Sequence, residues 1–341
     1  MSEPLRIAVL GLTHDHVWGN LEELKQTTGV ELVAVADPNA PLLAKIDDLY
    51  QVPTYESFDK LLADETLDAV WLFSDNATNV ELTEHAASAG LHIMVEKPMA
   101  GTLLGADRML AAARQNDVRL MVNWPFAWWP QLQKAVEMAT SGELGDIWQV
   151  KYRAAHAGPK ELGCSTYFCD WLFDDGRNGG GAMIDYCCYG ALLATAILGT
   201  PSRVYGTRSR LCKEEILVED NGVIVMNYPR AIAISEGTWT EIGKLLSYVT
   251  MIYGSQGTLM VEPRVGGRLM HATVDQQEGV EVAVEARPHH QSAAGHFTHC
   301  ITSGDSFTTL CQDRICRDAQ EILEAGLRSS EVGSEVSLPM N

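Results

Sequence analysis

The sequence lacks a long uninterrupted apolar segment. No stretch approaches the roughly 18 apolar residues that a membrane-spanning helix needs, so we expect no membrane insertion. The first apolar run, 7–11, is too short for the core of a signal peptide, and no small-residue cleavage site follows it. These absences predict a cytoplasmic protein with no membrane partner.

Basic residues are also scarce. The chain has 25 Lys and Arg against 45 Asp and Glu, which gives a formal net charge of −20. Because contacts with a phosphate backbone need clustered positive charge, this balance argues against nucleic acid as a partner. Any anionic cofactor must then be held by local donors, such as the N–H groups at a helix N-terminus.

No Cys-x-x-Cys pair occurs among the eight cysteines, which lie at positions 164, 169, 187, 188, 212, 300, 311 and 316. In a chain of 341 residues this pattern is typical of reduced thiols rather than of a disulfide framework. Cys164 and Cys169 lie near His156, but their spacing matches no known ligand pattern. We therefore predict no metal site there.

The first part of the chain contains a regular alternation of two patterns. Apolar, β-rich runs lie at 5–10, 31–36, 69–73, 91–95 and 118–122, and helical patterns lie near 16–27, 39–50, 56–63, 77–89 and 102–115. Such alternation predicts an α/β fold with a parallel sheet that helices cover on both faces. We expect residues 1–123 to form this domain.

The pattern changes after residue 123. The segment 124–130 holds two prolines and three tryptophans, which is typical of a connector. Strand-like runs follow at 147–155, 203–211, 222–228, 231–240, 247–253, 258–262, 268–274 and 281–286, with helices near 131–141, 182–198, 291–302 and 313–328. Since most of these strands follow one another without a helix, we predict an α+β domain over 124–341 with an open, largely antiparallel or mixed sheet.

The turn after the first strand has fewer glycines than a phosphate-binding loop usually carries. Gly11 is present, whereas Thr13 and His16 stand at the other two glycine positions of that fingerprint. Thr13 can still donate a hydrogen bond to a phosphate, and an ordinary strand-to-helix turn is the alternative. Asp37 ends the second strand, where it could accept hydrogen bonds from an adenosine ribose and repel a 2′-phosphate. Together these features predict an NAD(P)-binding Rossmann domain that prefers NAD to NADP, unless Asp37 only caps the next helix or forms its turn.

The triplet His14-Asp15-His16 has the composition of a metal or acid–base cluster. The two histidines are two residues apart, so their side chains would diverge if a helix starts there. We therefore assign His14 and His16 to the cofactor loop and predict no metal site.

Glu96-Lys97-Pro98 follows the fourth predicted strand, at the edge of a parallel sheet where ligands bind. A lysine there can polarise a hydroxyl or carbonyl group that exchanges a hydride. The proline restricts the backbone of Lys97 and so fixes its direction. A plain loop is the alternative.

Asp185 and Tyr189 lie four residues apart, on one face of the helix that follows three consecutive glycines at 179–181. A phenol and a carboxylate together could relay a proton in the oxidation of an alcohol. Alternatively, Asp185 favours the helix dipole and Tyr189 is a core aromatic.

Trp124 and Trp128 could stack on the apolar face of a sugar ring, and each could equally be a core or interface residue. Together with His156 they complete the predicted substrate contacts, which also include Lys97, Asp185 and Tyr189.

Several motifs, in this order, resemble the glucose–fructose oxidoreductase and inositol dehydrogenase family, often called Gfo/Idh/MocA. The resemblance covers nearly the whole chain. Its motifs are the first strand at 7–11, a cofactor loop at 73–79, Glu-Lys-Pro at 96–98, the segment 122–130, Ser-Gly-Glu-Leu-Gly-Asp-Ile at 141–147, Gly-Gly-Gly-Ala-Met-Ile-Asp at 179–185 and a terminal pair of helices within 296–330.

The resemblance implies bound NAD(H) or NADP(H) and a sugar, polyol or related alcohol as substrate. It places Ser74, Asn76 and Asn79 in the cofactor loop, gives Lys97 the family lysine's role and makes Asp185 a substrate contact. The family's usual histidine is Tyr189 here, as in some branches. The C-terminal sheet commonly forms an oligomer interface in this family, so we expect a homodimer or homotetramer.

The leading hypothesis is an NAD-dependent dehydrogenase or reductase with Lys97, Asp185 and Tyr189 as catalytic residues and Gly11, Thr13, His14, His16, Asp37, Ser74, Asn76, Asn79, Glu96 and Lys97 as cofactor contacts. In this hypothesis Lys97 lowers the effective pKa of the Tyr189 system. Two alternatives remain. One is a redox-neutral enzyme with tightly bound NAD that catalyses epimerisation, elimination or glycoside cleavage. The other is a non-catalytic NAD(P)-binding sensor, which the depleted glycine loop would suit.

Overall fold

The computed structural model describes residues 3–243, 245, 247–263 and 267–340. Its first sheet is formed by residues 5–123. The strands are β1 (Leu5–Leu10), β2 (Val30–Ala36), β3 (Thr54–Tyr55), β4 (Ala69–Leu72), β5 (His92–Glu96) and β6 (Leu120–Asn123); the helices are α1 (His16–Gln26), α2 (Ala40–Tyr50), α3 (Phe58–Asp64), α4 (Asn76–Ser88) and α5 (Leu103–Gln115).

These strands are all parallel, in the order β3-β2-β1-β4-β5-β6. Every residue of β4 and β6 is buried, because helices cover both faces of the sheet. The predicted alternation of strand and helix is therefore confirmed. The carboxyl ends of β1, β4 and β5 meet at one edge, which places the turns after them side by side.

The second sheet follows a short connector that contains a 3₁₀ turn at Pro125–Trp128. Its strands are β7 (Ile147–Ala155), β8 (Arg203–Ser209), β9 (Asn221–Asn227), β10 (Ile232–Thr238), β11 (Val249–Gly254), β12 (Thr258–Val261), β13 (Leu269–Ala272), β14 (Val280–Glu281) and β15 (Val336–Ser337); the helices are α6 (Pro130–Ser141), α7 (Thr166–Leu172), α8 (Asp175–Asn178), α9 (Ala182–Leu198), α10 (Ala293–Ser303) and α11 (Asp313–Val332).

The described strands of this sheet run in the order β14-β13-β12-β11-β7-β10-β9-β8-β15. The pair β7–β10 is parallel and the other pairs are antiparallel, which confirms a mixed, largely antiparallel sheet. Burial alternates along β9, since α9 and α11 cover one face only. At Gly206 of β8 the backbone of α11 approaches so closely that any side chain would overlap Gly326.

Two features of this part of the chain differ from the predictions. The run 281–286 forms a strand only at Val280–Glu281, since it lies at the sheet edge and pairs briefly with β13. The short helices α7 and α8 were not predicted. Helix α9 belongs to a segment, 175–198, that is long and apolar enough to cross a membrane, with a mean hydropathy of 1.5. It is a core helix in this structure, because 78% of that apolar window is buried within the protein.

The start of α9 is held against the edge of the first sheet. Gly179, with φ of +89°, lies so close to Gly101 that a side chain would overlap the Gly101 backbone. Asn76 donates from Nδ2 to Asn178 Oδ1 at 2.8 Å. Glu219 then accepts hydrogen bonds from the N–H groups of Gly181 and Met183. These contacts hold the first turn of α9 close to the carboxyl ends of β4 and β5.

Candidate active site

Lys97 and Asp185 form an ion pair where the two sheets meet. Lys97 follows β5, and Asp185 lies in the first turn of α9. Lys97 Nζ lies 2.6 Å from Asp185 Oδ1, and both side chains are less than a tenth exposed. Burial opposes the charge on Lys97, but the Asp185 carboxylate outweighs it and raises the pKa of Lys97 above its ordinary value. The lysine is therefore a fixed cation.

The second oxygen of Asp185 is held by a residue that the sequence analysis did not single out. Trp239, which follows β10, donates from Nε1 to Asp185 Oδ2 at 3.1 Å. With Lys97 on one oxygen and Trp239 on the other, the orientation of the carboxylate is fixed. No local sequence pattern indicates this contact, because Trp239 is 54 residues from Asp185.

His156 lies beside the pair. Its ring makes an edge contact with Tyr186 at 4.7 Å between centroids, and its Nδ1 accepts the N–H of Gly158 at 2.8 Å. Burial lowers the pKa of His156 to about 4, so the ring is neutral at pH 7. In that state Nε2 carries the proton, which makes this side of His156 a hydrogen-bond donor.

Two tyrosine rings of α9 face Lys97 Nζ, which lies 5.2 Å from the Tyr189 centroid and 5.6 Å from the Tyr186 centroid. Tyr186 Oη shares a 3.1 Å hydrogen bond with Tyr248 Oη. Tyr189 Oη has no hydrogen-bond partner among the described residues, and the residue is 6% exposed. Its hydroxyl is therefore available to a ligand.

The expected lowering of the pKa of Tyr189 is wrong. Burial, together with Cys188 and Asp185, raises the pKa of Tyr189 well above its usual range. The Tyr189 hydroxyl is therefore protonated at neutral pH.

Glu96 organises a second group of side chains. Its Oε1 lies 2.9 Å from His16 Nδ1, and its Oε2 accepts a 2.8 Å hydrogen bond from Asn123 Nδ2. Trp128 in turn donates from Nε1 to Asn123 Oδ1 at 2.9 Å. A cleft of about 520 Å³ opens beside His16, Asn123 and Trp128, so Trp128 is a wall of this cleft.

The expected divergence of His14 and His16 is also wrong. Their ring centroids are 4.6 Å apart, because α1 begins at His16 and His14 belongs to the preceding turn. His14 is buried against Phe168 and Trp171 of α7. Burial, and then His16 and Lys97, lower the pKa of His14 well below its ordinary value, so its ring is neutral.

The turn after β1 has the close packing of a dinucleotide loop at one glycine. Gly11, with φ of +91°, lies against Ser74, and any side chain there would overlap the Ser74 side chain and backbone. Within the described part of the chain, the N–H groups of Thr13 and Asp15 donate to no protein acceptor. Two free N–H groups at a helix start suit a pyrophosphate, so this turn fits a dinucleotide cofactor.

Helix α7 packs over the same turn. The carboxylate of Asp15 accepts the N–H and hydroxyl of Ser165, at 2.7 and 2.6 Å, and the Thr13 carbonyl accepts the Trp171 Nε1 proton at 3.3 Å. The turn is thus held from the second part of the chain.

The remaining predicted cofactor residues are buried and bonded within the protein. Asp37 Oδ2 accepts the Leu12 N–H at 2.6 Å, and its Oδ1 accepts two donors from Asn39 at 2.7 Å. Asn79 bonds the backbone N–H and carbonyl of Ser74, while Asn76 joins α4 to α8. Asp37 therefore serves its own turn, with capacity for one further donor.

The structure does not bring Trp124 to the site. Trp124 is 1% exposed, donates to Cys316 Sγ and packs edge-on against Tyr189 from the core side. It supports the tyrosine instead of offering a face to a sugar. Tyr152, which the sequence motifs do not indicate, is stacked on Tyr189 at 5.8 Å, and its buried hydroxyl has no hydrogen-bond partner among the residues that the structure describes.

The parallel sheet, the glycine-limited turn after β1 and a buried lysine at the sheet edge define a dinucleotide-binding oxidoreductase fold. Sequence models of one family match both halves. An oxidoreductase family with an NAD-binding Rossmann fold matches residues 5–124, and the GFO/IDH/MocA C-terminal domain matches residues 132–260. The chain belongs to the Gfo/Idh/MocA family, which confirms the resemblance.

Two similar relatives are named D-xylose 1-dehydrogenases that use NADP⁺. The chain is 30% identical to one from Haloferax volcanii over 183 residues, which are 53% of this chain and 54% of that protein. It is 25% identical to one from Haloarcula marismortui over 313 residues, which are 87% of this chain and 84% of the relative. The chain thus spans about half the length of the first and most of the second.

Solved structures have the same fold. The aldose-aldose oxidoreductase of Caulobacter crescentus superposes with a TM-score of 0.83 at 22% identity, over 98% of this chain and 100% of that chain. A dehydrogenase of Bordetella pertussis, solved with NADH and UDP-GlcNAcA, gives 0.82 at 21% identity, over 99% and 100%. At these identities the likeness establishes the fold.

Proposed function

We propose that this protein is an NAD-dependent oxidoreductase that acts on a carbinol or carbonyl carbon of a sugar, polyol or related alcohol. The observation that carries the proposal is the buried Lys97–Asp185 pair, with Nζ 2.6 Å from Oδ1 and the Tyr189 ring 5.2 Å from Nζ. A cation, a carboxylate and a phenol are thereby held around one point at the edge of the parallel sheet. The two xylose dehydrogenases support a sugar substrate.

In this proposal the dinucleotide would be held by the N–H groups of Thr13 and Asp15 and by the loop at Ser74, and when bound it would supply or accept the hydride. Asp37 supports NAD over NADP, since its carboxylate would repel a 2′-phosphate at the end of β2. The NADP⁺-dependent relatives make this preference worth measuring directly.

The roles of the chain's own groups follow from their charge states. Lys97 stays protonated and stabilises negative charge on the substrate oxygen. Tyr189, with its raised pKa, donates a proton to that oxygen when a carbonyl group is reduced. Asp185, fixed by Trp239, orients Lys97. His156 donates a hydrogen bond from Nε2 to a second hydroxyl of the substrate.

Lys97→Met tests the proposal in a panel of aldoses and polyols, with NAD or NADP reduction as the readout. We expect the wild type to turn over at least one substrate and Lys97→Met to lose about 10²–10³-fold in kcat. Lys134→Met, at an exposed lysine of α6, is the matched control and should behave as wild type. Hydride transfer that survives in Lys97→Met would refute the assigned mechanism.

Two other outcomes identify the alternative functions. Turnover without net NADH, with a cofactor that copurifies, would replace hydride exchange by a redox-neutral reaction. Binding of NAD without turnover of any substrate would indicate a sensor.

The open face of the second sheet supports a homodimer or homotetramer. This face carries partly exposed apolar side chains on β9 and β10 and, beyond β7, on β11 and β12, namely Val223, Val225, Ile232, Ile234, Met251 and Met260. A second copy would cover them. Ile234→Glu is expected to lower the molar mass measured by light scattering, whereas Glu31→Gln, on the first sheet, should leave it unchanged.

A further inference from the structure

Three side chains with metal-binding atoms converge at the edge of the parallel sheet, beside the Lys97–Asp185 pair. His14 and His16 come from the turn after β1, and Glu96 is the last residue of β5. One ligand atom from each lies within 4.8 Å of the other two. His16 Nδ1 and Glu96 Oε1 are 2.9 Å apart, a hydrogen-bond distance that needs to lengthen only to about 3.3 Å for both atoms to bind one tetrahedral ion.

The backbone explains why these groups meet. β1 and β5 lie on either side of β4, so the turn after β1 faces the end of β5. His14 precedes α1, and its N–H is held by the Phe73 carbonyl at 2.9 Å, which turns its ring toward His16. The convergence is therefore set by main-chain contacts and does not depend on the histidines themselves.

The donor set favours a transition-metal dication. Two imidazoles and one carboxylate are the ligands of many catalytic zinc sites, which keep a fourth position open. Asn123 donates to the distal oxygen of Glu96, an outer hydrogen bond that orients a ligating carboxylate. The carboxyl groups of Asp15 and Glu23 line the adjoining cleft and favour a cation there, whereas the charge of Lys97, on the other side of Glu96, opposes it.

Access and burial also suit such a site. Glu96 and His14 are 1% exposed, which excludes bulk water from two of the ligands. The His16 side chain is 40% exposed and lines the cleft of about 520 Å³. An ion held by the three residues would thus have its open position on the side from which a ligand can enter.

We propose that His14, His16 and Glu96 bind one divalent transition-metal ion, with Zn²⁺ as the best match. Its open position would take water or an oxygen atom of a ligand in the cleft beside Asn123. The site adjoins the Lys97–Asp185 pair, because Glu96 directly precedes Lys97 in the chain. Binding of the ion does not require the proposed hydride transfer.

The test is metal binding by the full chain after removal of metals with a chelator. Zn²⁺ is titrated calorimetrically, and Co²⁺ replaces it as a spectroscopic probe, since tetrahedral Co²⁺ absorbs strongly in the visible. We expect one equivalent bound, with His16→Ala and His14→Ala each weakening binding at least tenfold. Glu96→Gln, which keeps the size of the side chain, should weaken it similarly.

Two controls separate this site from others. His85→Ala removes an exposed histidine of α4 and should leave binding unchanged. His299→Ala tests a second histidine group, in which the His289 and His299 rings stack at 4.2 Å. Circular dichroism and thermal unfolding of each variant show that it is folded.

The proposal is overturned if the folded wild type binds no Zn²⁺ at micromolar concentration. It is also overturned if binding survives in His16→Ala and Glu96→Gln, or is lost in His299→Ala instead. The first result would leave His16 and Glu96 as a hydrogen-bonded pair only.

Discussion

The two sheets of this protein provide functional groups in different ways. The parallel sheet is covered on both faces, so most of its side chains are core, and the polar groups Glu96 and Lys97 lie where β5 ends. The mixed sheet is covered on one face, and its polar contribution to the site comes mainly from the covering helix α9, through Asp185 and Tyr189. The site is therefore the junction of a strand edge and a helix start. Four predictions test how this division works.

The largest effect is expected at α9. Tyr189→Phe removes a hydroxyl with no partner among the described residues, and kcat should fall about 10²–10⁴-fold if that group transfers the proton. Tyr186→Phe removes a hydroxyl already bonded to Tyr248 and should cost far less. Steady-state kinetics of both variants with the same substrate decide the matter. Equal losses would show that the two phenols act together.

Acid stability compares a buried histidine next to the mixed sheet with one in a helix that packs against α1 of the first region. Burial lowers the pKa of His156, after β7, and of His296, in α10 against α1, to about 4. In the unfolded chain these two histidines bind a proton near pH 6.5, whereas in the folded protein they do so only near pH 4. Each histidine therefore lowers the free energy of unfolding by as much as about 3 kcal/mol as the pH falls from 6.5 to below 4.

Denaturant unfolding at several pH values, in wild type, His156→Gln and His296→Gln, measures these contributions. Each variant should lose less stability in acid than wild type. If only one variant loses less stability than wild type, the histidine that it replaces accounts for the loss of stability in acid. If neither does, both histidines titrate normally in the folded protein.

Two glycines with positive φ, one after β1 and one after α9, test the close packing at the edge of the parallel sheet. Gly11→Ala puts a methyl group into Ser74 at a positive φ, whereas Gly199→Ala, after α9, meets the positive φ of +76° with open space around it. We expect Gly11→Ala to destabilise the protein by about 2 kcal/mol more than Gly199→Ala. Thermal unfolding provides the measurement. Equal costs would mean that the turn after β1 yields easily.

The smallest effect concerns the support of Asp185. Trp239→Phe keeps an aromatic ring and removes the hydrogen bond to Oδ2. Because a hydrogen bond to a charged group contributes about 1.5–3 kcal/mol, kcat should fall about tenfold with little change in fold. Trp148→Phe, on an exposed residue, is the control. An unchanged kcat would show that Lys97 alone holds the carboxylate.

The same contrast explains what the sequence could predict. The parallel sheet could be predicted, since buried strands and amphipathic helices leave strong local periodicities. The position of Lys97 at the end of a predicted strand indicated it as a candidate site residue. The strands of the mixed sheet could also be predicted, except at 281–286, where the length of the strand depends on pairing at the sheet edge. Helices α7 and α8 are too short to leave a helical period.

The site contacts depend on distance in space, which no local pattern reports. Three features of the site depend on contacts between separate elements: the hydrogen bond of Trp239 to Asp185, the stacking of Tyr152 on Tyr189, and the burial of Trp124. The convergence of His14 and His16 follows from a backbone turn that begins before the helix. Residues two apart diverge only when both are helical, and of these two histidines only His16 lies in a helix.

The Lys97–Asp185 pair also has a consequence for the order in which the chain acquires structure. The two residues are 88 positions apart, and the first sheet is complete at residue 123. On the ribosome, the first region can therefore fold while its lysine still lacks a counter-ion and points into water. Only when α9, which ends at residue 198, has emerged and docked is that charge buried, so the native site is assembled later than the first sheet.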